Sequence, residues 1–378
     1  MGVGPNSDDP AFLKEEWDHG GAPVSGRWKD SRVLDASTTI NPFGPPFSLT
    51  QALSVASRGF ERYPDPWGIS SLELLSDSLG VPSENLVVGP GSTALIYRWM
   101  EMVRPSRLVL FEPIFSEYRR AARVYGVPCV AVPASIAIRF EGGNPPEGSR
   151  EWGVDLSAMF PFRQGDQVVL VNPVNPTGQE FSRTALLNFW NGVSSNGGGL
   201  LIDESFQDFL PEQSSLLSEI GSSNPGLFIL RSLTKATGLP GIRTGWLAGS
   251  REVMGSIRQR VGPWPIGSLE ESIISHWTRA SDETPAMFRR VREARRELSD
   301  RLVRLGWKVA SGESPFLFVF TGWGALARER RERLFQESGL YLRVAEGFGP
   351  HTGADFIRLG FGAFRDPDRI VTDLTESS

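Results

Sequence analysis

Seven short apolar runs, interleaved with helical stretches, constrain this chain more than any other feature. They are Asn85–Val88, Leu108–Phe111, Cys129–Val132, Gln167–Asn172, Leu200–Asp203, Leu227–Arg231 and Gly245–Ala248. Val, Leu and Ile fall on consecutive positions, the pattern of strands covered on both faces. Helical stretches Thr93–Val103, Phe115–Tyr125 and Arg183–Ser194 lie between them. Alternation of this kind builds a mostly parallel α/β sheet with helices on both faces. Ligands of such sheets gather at the carboxyl ends of the strands.

After about residue 265 the texture changes. Leu269–Leu305 reads as one long helical stretch, and its charged middle, from Arg289 to Glu297, reads as a solvated helix face. Strand candidates Phe316–Thr321, Leu340–Val344 and Phe356–Phe361 follow, with helices Ala325–Glu337 and Pro367–Leu374. These predict a smaller α+β unit. The first 45 residues show little periodicity and read as an arm laid over other parts. The expected division is therefore an arm over 1–45, a large domain over 46–265 and a small domain over 266–378. Gly142–Glu151 reads as a surface loop.

Composition removes several function classes. The chain carries 39 Lys and Arg against 44 Asp and Glu, a net charge of −5, where a nucleic-acid partner calls for a basic surface. Cys129 is the single cysteine, so no internal disulfide or Cys-rich metal site is expected. His19, His276 and His351 stand far apart without paired spacing, which argues against a metal centre. No apolar run reaches the roughly 18 residues of a membrane span, and the N-terminus lacks an apolar leader core. The expectation is a soluble, cytoplasmic protein.

Four segments carry chemistry. Ser232-Leu-Thr-Lys235 follows the apolar run LFILR, which places an amine at the end of a buried strand. A desolvated lysine there has a lowered pKa and can condense with an aldehyde; taken alone it could equally be a surface cation. Ser232 and Arg243 could clamp a phosphate. In Asn172-Pro-Val-Asn175-Pro-Thr-Gly178, the Asn-Pro steps present Asn175 at a strand end, or simply make a structural turn. Gly199-Leu-Leu-Ile-Asp203-Glu204 ends a buried strand in two acids. Asp203 there needs a cationic or hydrogen-bonding partner, or else caps the next helix. Val88-Gly-Pro-Gly91-Ser92-Thr93 is a strand, a glycine turn and a helix start, whose free N–H groups suit a phosphate.

Together these four motifs ask for a phosphate, a ring nitrogen, a phenolic oxygen and an aldehyde on one ligand. That ligand is pyridoxal 5′-phosphate (PLP). With GPGST, PIFSEY, NPVNPTG, IDES, SLTK and FIRLGF in order, the chain resembles the aspartate-aminotransferase superfamily of PLP enzymes over nearly its whole length. The resemblance implies the PLP-transferase α/β fold: a large domain on a mostly parallel seven-stranded sheet and a smaller α+β C-terminal domain. It also implies that Lys235 carries the cofactor, that Asp203 pairs with the ring nitrogen, and that Asn175 donates to the phenolic oxygen. Gly91, Ser92, Thr93, Ser232 and Arg243 would hold the phosphate, and Phe115 would cover the ring face. Arg358 matches the arginine that binds the substrate carboxylate. Tyr63, in Arg-Tyr-Pro-Asp-Pro, matches the tyrosine that reaches the partner's cofactor phosphate, which implies a homodimer with shared sites.

Two subgroups share RYPDP and NPTG: histidinol-phosphate aminotransferases, which work with 2-oxoglutarate and glutamate, and threonine-phosphate decarboxylases of cobalamin synthesis. His19-Gly-Gly21, Asp203-Glu-Ser-Phe-Gln-Asp-Phe209 and Gly262-Pro-Trp-Pro-Ile-Gly267 resemble the decarboxylases. Aminotransferases usually carry tyrosine where Phe206 stands. His19, Arg343 and Arg358 are the candidate anchors for substrate anions. Thr39 departs from the Asn or Gly of many relatives.

Overall fold

The structure is a computed structural model that describes residues 21, 33–146, 151–157, 160–210, 214–221, 223–279, 283–346, 348 and 354–376. Seven strands form the main sheet: β1 (Leu86–Gly89), β2 (Arg107–Phe111), β3 (Cys129–Val132), β4 (Asp166–Val171), β5 (Gly199–Asp203), β6 (Leu227–Ser232) and β7 (Gly245–Ala248). Their spatial order is β1-β7-β6-β5-β4-β2-β3. All neighbours are parallel except β7, which runs antiparallel to both β1 and β6. The fold is thus the expected α/β architecture with a mostly parallel seven-stranded sheet.

Alternate side chains of each strand feed two separate cores. Val168, Leu170, Leu200, Ile202 and Ile229 pack on one face. Val169, Val171, Leu201, Leu230 and Leu247 pack on the other. This is the period-2 pattern of a sheet sandwiched between helices. The edge strand β3 departs from it: Cys129 is exposed and Val130–Val132 are half-buried, because only β2 flanks it.

A second, antiparallel sheet has five strands in the order Arg343–Val344, Phe356–Leu359, Leu317–Phe320, Lys308–Ala310, Phe140–Glu141. The expected strand Leu340–Val344 is split: Leu340–Tyr341 pairs instead with Leu34–Asp35, in parallel, as a separate two-stranded sheet. The expected helix over 269–305 is likewise two helices, Ser268–Trp277 and Glu283–Arg304. Pro285 explains the second start, since proline lacks the N–H that an inner helical turn requires and sits well in the first turn. Of the 142–151 loop, Gly142, Gly143, Asn144, Pro146 and Glu151 are exposed, and 147–150 lie outside the described residues.

The described part of the arm is not loosely laid. Ala36, Ser37 and Asn41 are fully buried. Asn41 N–H donates to the Lys235 carbonyl at 2.8 Å, and its amide donates to Ala236 O at 3.3 Å. Gly360 N–H donates to Ala36 O at 2.8 Å. A Cβ at Gly360 would run into the Thr38 carbonyl oxygen, so glycine lets the two chains touch. Residues 34–41 therefore run between the second sheet and the loop that bears Lys235. Among the described residues, no helix is long and apolar enough to cross a membrane, and no group of three His, Cys, Asp or Glu is placed to hold a metal ion.

Candidate active site

A cavity of about 290 Å³ opens where β4, β5 and β6 end. Its walls bring together ten of the site residues expected from the sequence, Ser92, Thr93, Phe115, Asn175, Asp203, Ser232, Lys235, Arg243, Arg343 and Arg358, and also Phe206.

One end of the cavity is built for a phosphate. Helix Ser92–Val103 begins there, and its N-cap, Gly91, makes no side-chain capping bond, so the first N–H groups are free to bind an anion. Gly91 has φ of +84°, and a Cβ on it would lie 2.7 Å from Arg243 Nη2. Only glycine lets the loop pass this close to the guanidinium. Ser232 Oγ and Thr234 Oγ1, 2.7 Å apart, add two hydroxyls from the end of β6.

The other end holds opposite charges. Asp203 terminates β5 almost wholly buried. Its Oδ1 accepts the Ser205 N–H at 3.0 Å, and its Oδ2 accepts the Tyr118 hydroxyl at 2.8 Å. Burial pushes the Asp203 carboxyl above its ordinary value, against the pull of those donors and of the Lys235 charge. Lys235 follows β6 in the short helix Leu233–Ala236. Desolvation, joined by the positive charges of Arg358 and Arg243, lowers its amine to about 8, with Asp203 opposing. Near neutrality a useful fraction of the amine is therefore neutral and nucleophilic. Attachment of PLP to the cofactor-free protein should speed up as pH rises and level off above about 8. Stopped-flow absorbance checks this; a profile still climbing at pH 10 would mean an ordinary lysine.

Asn175 is positioned by Arg358, whose Nη1 donates to Asn175 Oδ1 at 2.7 Å; Arg358 Nη2 donates to Ser37 O at 2.6 Å. The accepted bond identifies the Asn175 oxygen and turns its NH₂ toward other partners. The first asparagine of the motif does different work. Asn172 is fully buried, accepts Phe181 N–H at 3.1 Å and donates to Ser214 Oγ at 2.8 Å. Phe115 lines the cavity with one part of its ring and packs on the core with another.

Arg343 and Arg358 are directly opposed across antiparallel strands, both 5% exposed, and both line the cavity. Their guanidinium carbons lie 5.0 and 5.3 Å from the ring centroid of Phe348. Both guanidiniums border the cavity, where they are suited to bound anions. Glu204 and Asp208 of the DESFQD segment face elsewhere. Both ion-pair with the buried Arg231 of β6, at 2.9 and 3.1 Å, and so tie the end of β5 to β6 beneath the cavity.

The sequence candidate Tyr63 does not line the cavity. His19 lies outside the described residues. Tyr63 is 84% exposed, its ring 4.9 Å from that of Trp264. Sequence reasoning missed Thr38, Thr39 and Ile40 of the arm, Ser205, Thr234 and Phe348 as wall residues, and Tyr118 behind Asp203. The signal for Tyr118 was present: it stands three residues after Phe115, one helical turn on.

These features fit the cofactor. Unused helix-terminal N–H groups and hydroxyls suit its phosphate, a buried carboxylate its ring nitrogen, and a low-pKa lysine its aldehyde. The sequence profile of the family described as aminotransferase class I and II matches residues 33–370. The chain belongs to that family and is a PLP-dependent enzyme. Threonine-phosphate decarboxylase of Salmonella typhimurium is 32% identical over 257 residues, 66% of this chain and 67% of that protein. Histidinol-phosphate aminotransferase of Moorella thermoacetica is 28% identical over 356 residues, 91% and 85% of the two chains. The structure of histidinol-phosphate aminotransferase from Sinorhizobium meliloti, in complex with pyridoxal-5′-phosphate, superposes with a TM-score of 0.76 at 19% identity, covering 90% of this chain and 89% of that one.

Proposed function

We propose that this enzyme removes CO₂ from L-threonine O-3-phosphate to give (R)-1-aminopropan-2-yl phosphate, a building block of the cobalamin side chain. The observation that carries the reading is the opposed pair Arg343 and Arg358 at the cavity wall. Two guanidiniums side by side suit a substrate with two anions, a carboxylate and a phosphate, with His19 as a further anchor for the phosphate. The 32% identity to a threonine-phosphate decarboxylase and the presence of Phe206 rather than tyrosine support it.

In this reading Ser92, Thr93, Ser232 and Arg243 hold the cofactor phosphate beside Gly91, Asp203 pairs with the ring nitrogen, Asn175 donates to the phenolic oxygen and Phe115 covers the ring. Bound PLP supplies an electron sink for the pair left on Cα when a bond to it breaks. The protein chooses which bond breaks by where it anchors the other groups. Arg358, held by Asn175 and Ser37, is a fixed anchor; Arg343 beside it secures the second anion. With both anions held by Arg343 and Arg358, the substrate would be oriented to give up its carboxylate as CO₂ to that electron sink, and Lys235, as the ammonium, would supply the proton to Cα.

The assay is direct. Incubation with threonine phosphate should release CO₂. Glutamate formed from histidinol phosphate with 2-oxoglutarate, and no CO₂ from threonine phosphate, would make the enzyme a histidinol-phosphate aminotransferase instead. Phe206 offers a separate check. It lines the cavity, buried and edge-on to Phe316 at 5.2 Å. A hydroxyl there would add a donor to the cofactor's phenolic oxygen, worth roughly 1.5–3 kcal/mol, or about one to two pKa units. Phe206→Tyr should move the pH at which the visible band changes downward by that amount. An unmoved titration would place Phe206 away from the ring oxygen.

The working unit in this reading is a homodimer. Phe47, Phe60, Tyr63, Trp67, Ile69 and Trp264 are large apolar side chains more than 45% exposed. Such a surface suits an interface, and in this reading Tyr63 reaches across it to a partner's cofactor phosphate. Mixed dimers of Tyr63→Phe and Lys235→Ala subunits should then concentrate both lesions in one site and keep the other intact. Activity in the mixture no greater than the sum of the separate variants would remove the shared-site reading.

A further inference from the structure

Tyr118 is the third residue of the helix Ser116–Val124, fully buried in the core behind β5. It belongs to the apolar core that also holds Leu110, Ile114, Val171 and Leu230. A buried phenol needs a hydrogen-bond partner, and its hydroxyl donates to Asp203 Oδ2 at 2.8 Å. The other oxygen of the same carboxylate takes the Ser205 N–H at 3.0 Å. Both oxygens are thus held from the protein side, which fixes the carboxylate plane. The helix that carries Tyr118 has Phe115 as its N-cap. One turn of backbone therefore sets both the ring cover and the group behind Asp203.

We propose that Tyr118 is a positioning residue whose hydroxyl keeps Asp203 oriented and ionised, so that the proton shared between Asp203 and the cofactor's ring nitrogen stays on the nitrogen. The inference rests on the reading of Asp203 as the ring-nitrogen partner. The physical reason is a balance. Burial favours the neutral acid of Asp203, and hydrogen bonds to the charged form oppose it. Without the Tyr118 donor, only the Ser205 bonds and the Lys235 charge would oppose burial, so the carboxylate would compete more strongly for the pyridinium proton and the electron sink would weaken. The other charges facing Asp203 are Lys235, and beyond it Arg243 and Arg358; Glu204 is committed to Arg231 on the neighbouring strand.

Tyr118→Phe removes one oxygen and keeps the ring. In the cofactor-free protein, infrared difference spectra against Asp203→Asn should show the Asp203 carboxyl protonating one to two pH units higher in Tyr118→Phe, a roughly 10- to 100-fold change in its proton affinity. With ¹⁵N-labelled PLP bound, the ring-nitrogen signal should move toward the unprotonated position. A purely space-filling tyrosine would lower the melting temperature and leave both readouts unchanged, and that result overturns the proposal. Loss of the protonated-nitrogen signal in Asp203→Asn is expected; its survival would sink the Asp203 pairing itself, and with it the proposal, whatever Tyr118→Phe does. Should Tyr118→Phe fail to fold, replacing all five tyrosines by 3-fluorotyrosine gives a stronger donor. The Asp203 titration should then fall, and an unmoved titration counts against the proposal.

Discussion

Replacement of Lys235 by alanine is expected to end turnover, by about 10⁴-fold or more. The estimate takes the upper end of what a single acid–base group contributes and adds the loss of the covalent anchor. In the proposed reading two jobs fall on the same nitrogen because of where β6 ends. The short helix after it turns the amine into the cavity between Asp203 and the two guanidiniums, and burial lowers it to about 8. The chain is unusually easy to interrogate on this point, since it has only four lysines: Lys14, Lys29, Lys235 and Lys308. Borohydride makes cofactor attachment permanent, and peptide mass mapping then finds it. An adduct on one of the other three in Lys235→Ala, at undiminished yield, would refute the assignment. Lys308 is a clear control, because it lies over Phe320 in the second sheet, 5.4 Å from the ring centroid.

Asp203→Asn is expected to cost nearly as much. Removing one member of a buried ion pair costs about 3–5 kcal/mol, or roughly 10²- to 10⁴-fold in rate if the whole effect falls on the reacting state. The variant should fold, because asparagine keeps the shape: its oxygen can still accept the Ser205 N–H, and its NH₂ can donate to the Tyr118 oxygen in place of the bond Asp203 accepted there. Cofactor should still bind through its phosphate. A normal kcat, with only a raised KM, would show that Asp203 serves binding alone.

The sheet was largely legible in the sequence because its strands are buried on both faces. Such runs leave a continuous apolar signature, and Gly245–Ala248 stands where it predicts to the residue; Cys129–Val132, the half-buried edge strand, shows the same apolar run. The two-residue strands Leu34–Asp35 and Phe140–Glu141 leave no such trace; they form only because a partner edge is available. The same holds for the facing of Arg343 and Arg358. Each arginine was a candidate singly, but their opposition is a matter of strand register, set by tertiary packing. The helical stretch over 269–305 was read as continuous because its charge pattern persists across the break. Pro285 was the warning. At the site, Ser92, Asn175, Asp203 and Lys235 could be read from the sequence because each stands at or shortly after the end of a main-sheet strand. The wall residues Thr38 and Thr39 come from an arm without periodicity, and only the folded chain brings them in.

The arm has a consequence for how this protein is made. Leu34–Asp35 pairs with Leu340–Tyr341, and Ala36 O accepts the Gly360 N–H. During synthesis the arm leaves the ribosome first and its partners about 300 residues later. At about 5–20 residues per second that is a wait of roughly 15–60 s. Over roughly the last 100 of those residues, about 5–20 s, Lys235 and Asp203 can already be in place on the main sheet, while the arm can meet the lysine helix through Asn41 but still lacks its partner strand Leu340–Tyr341 and Gly360. The reactive amine is thus assembled early and enclosed last, so the nascent chain passes through a stage at which the cofactor has an open approach to it.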